Sequence, residues 1–257
     1  MKILLAGVVA LFGVIIGSFL NVCIYRIPQG ISVVRGNGGR SMCQECGKTL
    51  KWYDLVPVFS YILLKGKCRY CKSHISFRYP LVELANSILW GLCAYMFGLE
   101  WKMAVYCVFS SILLVLAMID WDIQEIPYRF QIMIICLGIV SIFLPGFPTI
   151  KERLIGAVVI SVPMMILTLL MNGFGGGDIQ LMAVSGFLLG WKANVVAMLI
   201  GTVLAGVIGF GVLRKKKINQ NREEKILIPF GPFLAIGLMT AVFWGERLMD
   251  WYLTSFS

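Results

Sequence analysis

Eight apolar runs organise the chain, and polar residues collect between them. They cover approximately Ile3–Ile24, Tyr79–Gly98, Met103–Ile119, Phe130–Leu144, Leu154–Met171, Ile179–Trp191, Ala193–Leu213 and Ile228–Leu248. Runs of about 20 apolar residues match an α-helix that crosses a hydrocarbon core. The pattern predicts an all-α polytopic membrane protein with about eight transmembrane helices. The sixth run has only 13 residues. It reads as a tilted helix that starts in a cavity, or else the fifth and sixth runs divide differently. The first run passes straight into Tyr25-Arg26 without a small-residue cleavage site, so it reads as a retained helix and not a signal peptide. The organisation is then a first transmembrane helix at 1–24, a cysteine-bearing domain at 25–78 and a multi-helix membrane domain at 79–257.

Composition agrees with this class: of 257 residues 59% are hydrophobic and 14% charged. The net charge of +10 might suggest nucleic acid, but its distribution argues otherwise. Seventeen of the 23 Lys and Arg fall in three connecting segments, with ten in Arg26–Arg78, Arg129 alone, and six in Arg214–Lys225. With those segments in the cytoplasm the positive-inside rule is satisfied, and both termini lie on the opposite side. The short outer loops then hold Glu100, Lys102, Lys151, Glu152, Arg153 and Lys192. Arg214-Lys-Lys-Lys217 reads as a cytoplasmic anchor near anionic headgroups, so the expected partner is membrane lipid and not nucleic acid.

The segment between the first two runs carries Cys43-Gln-Glu-Cys46 and, after 21 residues, Cys68-Arg-Tyr-Cys71. Each knuckle offers two sulfurs, and four sulfurs make a closed tetrahedral zinc site suited to structure and not catalysis. A segment this small builds little core, so a metal would supply part of its folding free energy. Redox dithiols and oxidised pairs are the alternatives; a cytoplasmic location disfavours stable disulfides. Cys23, Cys93, Cys107 and Cys136 lie in apolar runs and read as packing residues. His74, the only histidine, reads as a polar surface residue. No nucleophile motif accompanies it for a Ser-His-Asp or Cys-His protease.

Two acids interrupt the apolar pattern. Asp178 ends Asn172-Gly-Phe-Gly-Gly-Gly-Asp178, between two apolar runs, and an acid at such depth marks a functional site by default. The glycines let the backbone leave the helix, which at membrane depth is tolerated only in a protein-lined or wet site. A flexible loop with one solvated Asp is the plain alternative. Asp120 ends the third run, on the same expected cytoplasmic side, with Asp122 and Glu125 as competitors and a helix stop expected near Pro127. Two carboxyls that share a proton can divide the work of an aspartic protease, one activating water and the other protonating the leaving group. Alternatively, these acids form a solvated helix end.

The residues resemble the prepilin peptidases, or type IV leader peptidases, a GxGD aspartic protease family. The likeness rests on Gly175–Asp178, Ile119-Asp120, Ile126-Pro127, Gly17-Ser-Phe-Leu-Asn-Val-Cys-Ile-Tyr-Arg-Ile-Pro28, both cysteine knuckles, Arg78-Tyr-Pro-Leu-Val-Glu83 and Pro229-Phe-Gly-Pro-Phe-Leu-Ala235. It implies a bifunctional enzyme of the bacterial cytoplasmic membrane with its active site facing the cytoplasm. Such enzymes remove the basic leader of type IV prepilins or pseudopilins, before a hydrophobic helix, and N-methylate the new terminus with S-adenosylmethionine. The resemblance makes Asp120 and Asp178 the catalytic pair. It associates the zinc domain with methylation, and Gly66 and Glu83 become candidates for that activity; donor-binding residues are not indicated. Tyr128 after the Ile-Pro and Gln180 after the motif Asp depart from the family, which usually has Asp or Asn and Lys there. They leave substrate preference and activity level open. Competing readings are a leader peptidase without methyltransferase activity, a membrane-anchored zinc-ribbon adaptor, and a transporter with acids in its pathway.

Overall fold

A computed structural model of the chain describes residues 1–35, 41–171, 173–218 and 229–255, with backbone alone over 212–218. Asn172, Gly36–Gly39 and the side chains of Arg214–Lys217 lie outside the described residues. Among the described residues there are ten α-helices and no strand, only two isolated bridges. The helices are α1 (Lys2–Arg26), α2 (Phe59–Leu63), α3 (Arg78–Phe97), α4 (Trp101–Ile123), α5 (Tyr128–Val140), α6 (Ile150–Val159), α7 (Ser161–Met171), α8 (Gly176–Leu189), α9 (Trp191–Ile218) and α10 (Gly231–Ser255). By length and hydropathy α1, α3, α4, the α6–α7 pair and α9 each suffice to cross a membrane. α8 and the stretch from Tyr128 to Phe143 are shorter apolar helices. The all-α membrane class expected from the sequence is therefore present.

The chain forms two compact units, Met1–Val115 and Leu116–Ser257, divided within α4. In the first, α1 and α3 approach through glycine. A Cβ at Gly17 would lie 2.7 Å from the Glu83 Cα, and one at Gly13 would lie 2.9 Å from the Ser87 Cα. Lipid tails are as apolar as leucine, so such helices associate by close packing and interhelical hydrogen bonds. Asn86 Nδ2 donates to the Gly13 carbonyl at 2.8 Å, and Ser87 Oγ donates to that of Ala10 at 3.0 Å. The first part of α4 joins them, with Ser111 Oγ donating to Asn86 Oδ1 and receiving the Trp90 indole N–H.

The second unit repeats this device. A Cβ on Gly156 of α6 or on Gly186 of α8 would run into the other residue's carbonyl. Asn194 of α9 donates to the Gly156 carbonyl at 2.9 Å and to that of Met182 at 3.2 Å. Gly237 of α10 lies against the Ala197 backbone of α9. The fifth apolar run divides into α6 and α7 at Ile160. Pro163 explains the break, since its ring clashes with the carbonyl four residues earlier and it has no N–H to donate there.

Arg153, expected in a short outer loop, instead lies inside α6 and is 1% exposed. Thr149 starts this helix with a capping box to Glu152, which turns Arg153 inward. Its guanidinium donates to the carbonyls of Pro148, Gly138, Ser141 and Phe187 and to Ser141 Oγ, at 2.9 to 3.2 Å. Several of these are carbonyls near the C-terminal ends of α5 and α8, where a cation also meets the negative end of the helix dipole. Arg153→Met is expected to cost about 3 kcal/mol, because buried carbonyls lose a charged donor. Lys192→Ala, which breaks a surface pair to Asp250, is expected to cost less than about 1 kcal/mol. Thermal unfolding in detergent would rank the two, and an equal loss would contradict the structural role of Arg153.

Candidate active site and metal centre

Of the three acids that follow the third apolar run, only Asp120 is buried; Asp122 and Glu125 are exposed. Asp120 lies in the last turn of α4. The helix ends at Ile123, Gln124 takes a positive φ of 56°, and Pro127 caps the start of α5. Asp178 is buried in the first turn of α8. The Phe174 ring, four residues before Asp178, meets Phe230, whose neighbour Gly231 donates to Asp120, so the fold draws the two acids singled out from the sequence into one region. Both belong to the second unit.

Glycine determines what surrounds them. Asp120 Oδ2 accepts the Gly231 backbone N–H at 3.0 Å. This amide belongs to the first residue of α10, so the positive end of a helix meets the carboxylate. A Cβ on Gly231 would sit 2.6 Å from that oxygen, which leaves room for glycine alone. Around Asp178 the two glycines of the Gly-x-Gly-Asp motif are the crowded ones. A Cβ on Gly175 would lie 3.2 Å from Asp178 Oδ2, and one on Gly177 would lie 3.0 Å from the Ile126 Cβ. Gly173 and Gly176 face open space.

Other residues fix the loop that carries Asp178. The buried Gln131 of α5 donates to the Gly177 carbonyl at 3.3 Å. Thr168 Oγ1 accepts the Phe174 N–H at 3.2 Å. The Phe174 ring meets Phe230, next to Gly231, with centroids 5.6 Å apart. Sequence reasoning assigned no site role to Gly231, Gln131 or Phe230. The one available signal was Pro229-Phe-Gly-Pro, where prolines flank a glycine at the start of an apolar run. Tyr128 and Gln180, the two departures from the family pattern, are exposed.

The first unit holds the cysteine cluster. Cys43, Cys46, Cys68 and Cys71 bring their sulfurs within 4.8 Å of one another. Cys43 and Cys71 Sγ are 3.8 Å apart, matching the edge of about 3.8 Å that a tetrahedron of Zn–S bonds near 2.3 Å requires. The donor set therefore fits a metal ion. The two knuckles are built alike. Cys43 N–H donates to Lys48 O and Gly47 N–H to Cys43 O, while Cys68 N–H donates to Ser73 O and Lys72 N–H to Cys68 O. A bridge closes each turn, Met42 with Thr49 and Lys67 with His74. His74 is exposed and outside the four-sulfur group. The Cys46 amide draws the Cys43 thiol down to about 6, and the Ser73 hydroxyl lowers Cys71. Despite the pull of the Lys48 amide, burial and the sulfurs of Cys71 and Cys43 push Cys46 up to about 11. Arg69 Nε binds the buried Asp54 at 2.6 Å and ties the second knuckle to the turn at Trp52–Asp54.

Gly66 and Glu83 also lie in this unit. Gly66 has φ +67°, and a Cβ there would press on the Tyr61 ring, 2.9 Å from its hydroxyl. Glu83 is buried on α3, and its Oε2 accepts the Val58 N–H at 2.8 Å. Both residues have backbone-positioning roles.

The motif glycines give a direct test of the geometry around Asp178. Gly177→Ala forces Ile126 to move and is expected to destabilise the protein by roughly 1–3 kcal/mol, as overpacking does. Gly176→Ala, in open space at the start of α8, is expected to be neutral within about 0.5 kcal/mol. Unfolding midpoints in detergent would separate them, and the reverse order would contradict the loop conformation.

The chain is similar to known proteins over most of its length. Residues 11–97 match the bacterial peptidase A24 N-terminal domain, and residues 107–210 match the type IV leader peptidase family. Three similar proteins each bear the name prepilin leader peptidase/N-methyltransferase. One from Stutzerimonas stutzeri is 32% identical over 94% of this chain and 91% of its own. One from Aeromonas hydrophila is 31% identical over 97% and 94%, and one from Bacillus subtilis 29% over 96% and 97%. No solved structure matches the chain significantly.

Proposed function

The chain belongs to the type IV leader peptidase family, and from that membership we propose that Asp120 and Asp178 cleave the leader of prepilins or pseudopilins. The supporting observation is that these two are the buried acids among the described residues of the second unit, their surroundings joined by the Phe174–Phe230 contact. One carboxylate takes a proton from water, whose oxygen attacks the scissile carbonyl. The other carboxyl gives its proton to the departing amine as the tetrahedral intermediate collapses. S-adenosylmethionine would supply the methyl group for the new amine, its sulfonium leaving as a thioether as the amine loses a proton. Gly66 and Glu83 are the candidates associated with this second step.

In this reading eight segments cross the bacterial inner membrane, and the dyad and residues 25–78 face the cytoplasm. A substrate's hydrophobic helix lies in the bilayer while its basic leader reaches the acids. Residues 1–24 anchor the cysteine domain, and residues 79–257 carry the peptidase. Zinc held by Cys43, Cys46, Cys68 and Cys71 would be structural, since four sulfurs leave no open position.

Cleavage of a prepilin-like substrate in membranes tests the dyad. Asp120→Asn and Asp178→Asn are expected to lose more than about 100-fold in rate, on the scale of removing a general acid or base. Asp122→Asn is expected to stay near wild type, and both inactive variants should still methylate pre-cleaved substrate. Cleavage that survives Asp178→Asn would overturn the aspartyl mechanism. For the metal, serine at any of the four cysteines is expected to abolish stoichiometric zinc in the purified protein, measured by elemental analysis. His74→Ala should leave it unchanged, and full zinc in Cys68→Ser would reject the four-sulfur site.

A further inference from the structure

The cysteine domain hides few of its apolar side chains. In α2, Phe59, Ile62 and Leu63 are 67%, 65% and 80% exposed, and nearby Trp52 is 79% exposed. The α2 positions are spaced i, i+3 and i+4, so they form one stripe on the helix. The opposite side of α2 is the one that packs: the Tyr61 ring meets Phe77 with centroids 6.2 Å apart and covers Gly66. The helix thus presents its apolar face outward, the reverse of a helix that packs on a soluble core. Outside the hydrocarbon-crossing segments such a face requires a cover.

Two contacts set its height. Phe77 is the residue from which α3 starts. Glu83, five residues into α3 and roughly 7 Å along its axis, accepts the N–H of Val58, which immediately precedes α2. α2 therefore lies beside the first turns of a helix long and apolar enough to cross a membrane, at its entry end. The bond also holds an unfavourable backbone. Val58 is β-branched at φ +62°, ψ −51°, and the Phe59 N–H donates to Pro57 O, a strained γ-turn. This turn directs the chain into α2.

Charge identifies the cover. Residues 26–78 contain ten Lys and Arg against Glu45 and Asp54. Asp54 is buried on Arg69, while Lys51, Lys65 and Lys67, which flank Trp52 and α2 in sequence, are exposed. An apolar face flanked by aromatics and lysines, held beside the start of a spanning helix, matches a segment seated in the interfacial layer of an anionic leaflet. We propose that Trp52 and α2 insert into the headgroup layer of the membrane that α1 and α3 cross, and so anchor the cysteine domain to anionic lipid. This anchor does not depend on the peptidase reading.

The full chain in phosphatidylglycerol-containing vesicles tests this, with an environment-sensitive fluorescent amino acid placed at Leu63. Lipid brominated near the headgroup is expected to quench that probe at least ~2-fold more than lipid brominated near the chain end, as insertion by about 5–10 Å requires. A probe at the exposed Ile88, ten residues and roughly 15 Å into α3, is the deep reference and should show the opposite preference. Replacing phosphatidylglycerol with phosphatidylcholine should weaken the shallow quenching at position 63. A probe at Leu63 that aqueous acrylamide quenches and bromolipid does not would overturn the proposal. So would protection that appears only when a prepilin is added, which would make the stripe a protein-docking face.

Discussion

A carboxylate carried into an apolar helix bundle must be met by donors that come with no bulk of their own, and backbone amides supply them. Asp120 is met by the first amide of α10, at a distance that a single methyl group on Gly231 would forbid. The other acid is enclosed by Gly175 and Gly177, one against its own carboxylate and one against Ile126. The same economy of volume recurs at two helix crossings of this unit, at Gly156 with Gly186 and at Gly237 with Ala197. In a bilayer, where water does not drive helices together, the absence of side chains lets polar backbone and polar side chains approach closely enough to bind.

Much of this was legible because each legible feature leaves a mark on a single stretch of chain. Long apolar runs announce helices, and paired cysteines at fixed spacing announce a four-sulfur cluster. Asp178 stands out because an acid between two long apolar runs is costly at membrane depth. Arg153 was placed in a loop because it follows Lys151 and Glu152, and that charged triplet reads as solvated. Its acceptors are carbonyl groups near helix ends, which have no side-chain signature. Gly231 escaped for the same reason: the partner it serves is 111 residues away, and the interaction uses an amide that every residue but proline possesses. The glycine stretch does separate α7 from α8, and α8 already begins within it, at Gly176.

In the first unit the backbone is again the point of attachment. The likeness of the two knuckles appears only when their hydrogen bonds are compared, since Gly47 and Lys72 hold the same left-handed position with different side chains. Glu83 spans the step from helix to cysteine domain by holding the Val58 amide, and Gly66 admits the Tyr61 ring that leans on the start of α3. Residues that a resemblance marks for chemistry thus also set the posture of the domain that carries the cluster.

The bond between Gly231 and Asp120 joins α10 to a helix more than a hundred residues earlier in the chain. During synthesis Asp120 leaves the ribosome long before α10 exists, and Phe230 likewise arrives after the Phe174 loop it will brace. Until α10 is threaded into the bilayer, the carboxylate stands without its donor and the loop without its stacking partner. The order of residues along the chain thereby works as a clock. The site closes only when α10 is inserted, so a nascent or truncated copy without α10 carries both acids without the framework that aligns them.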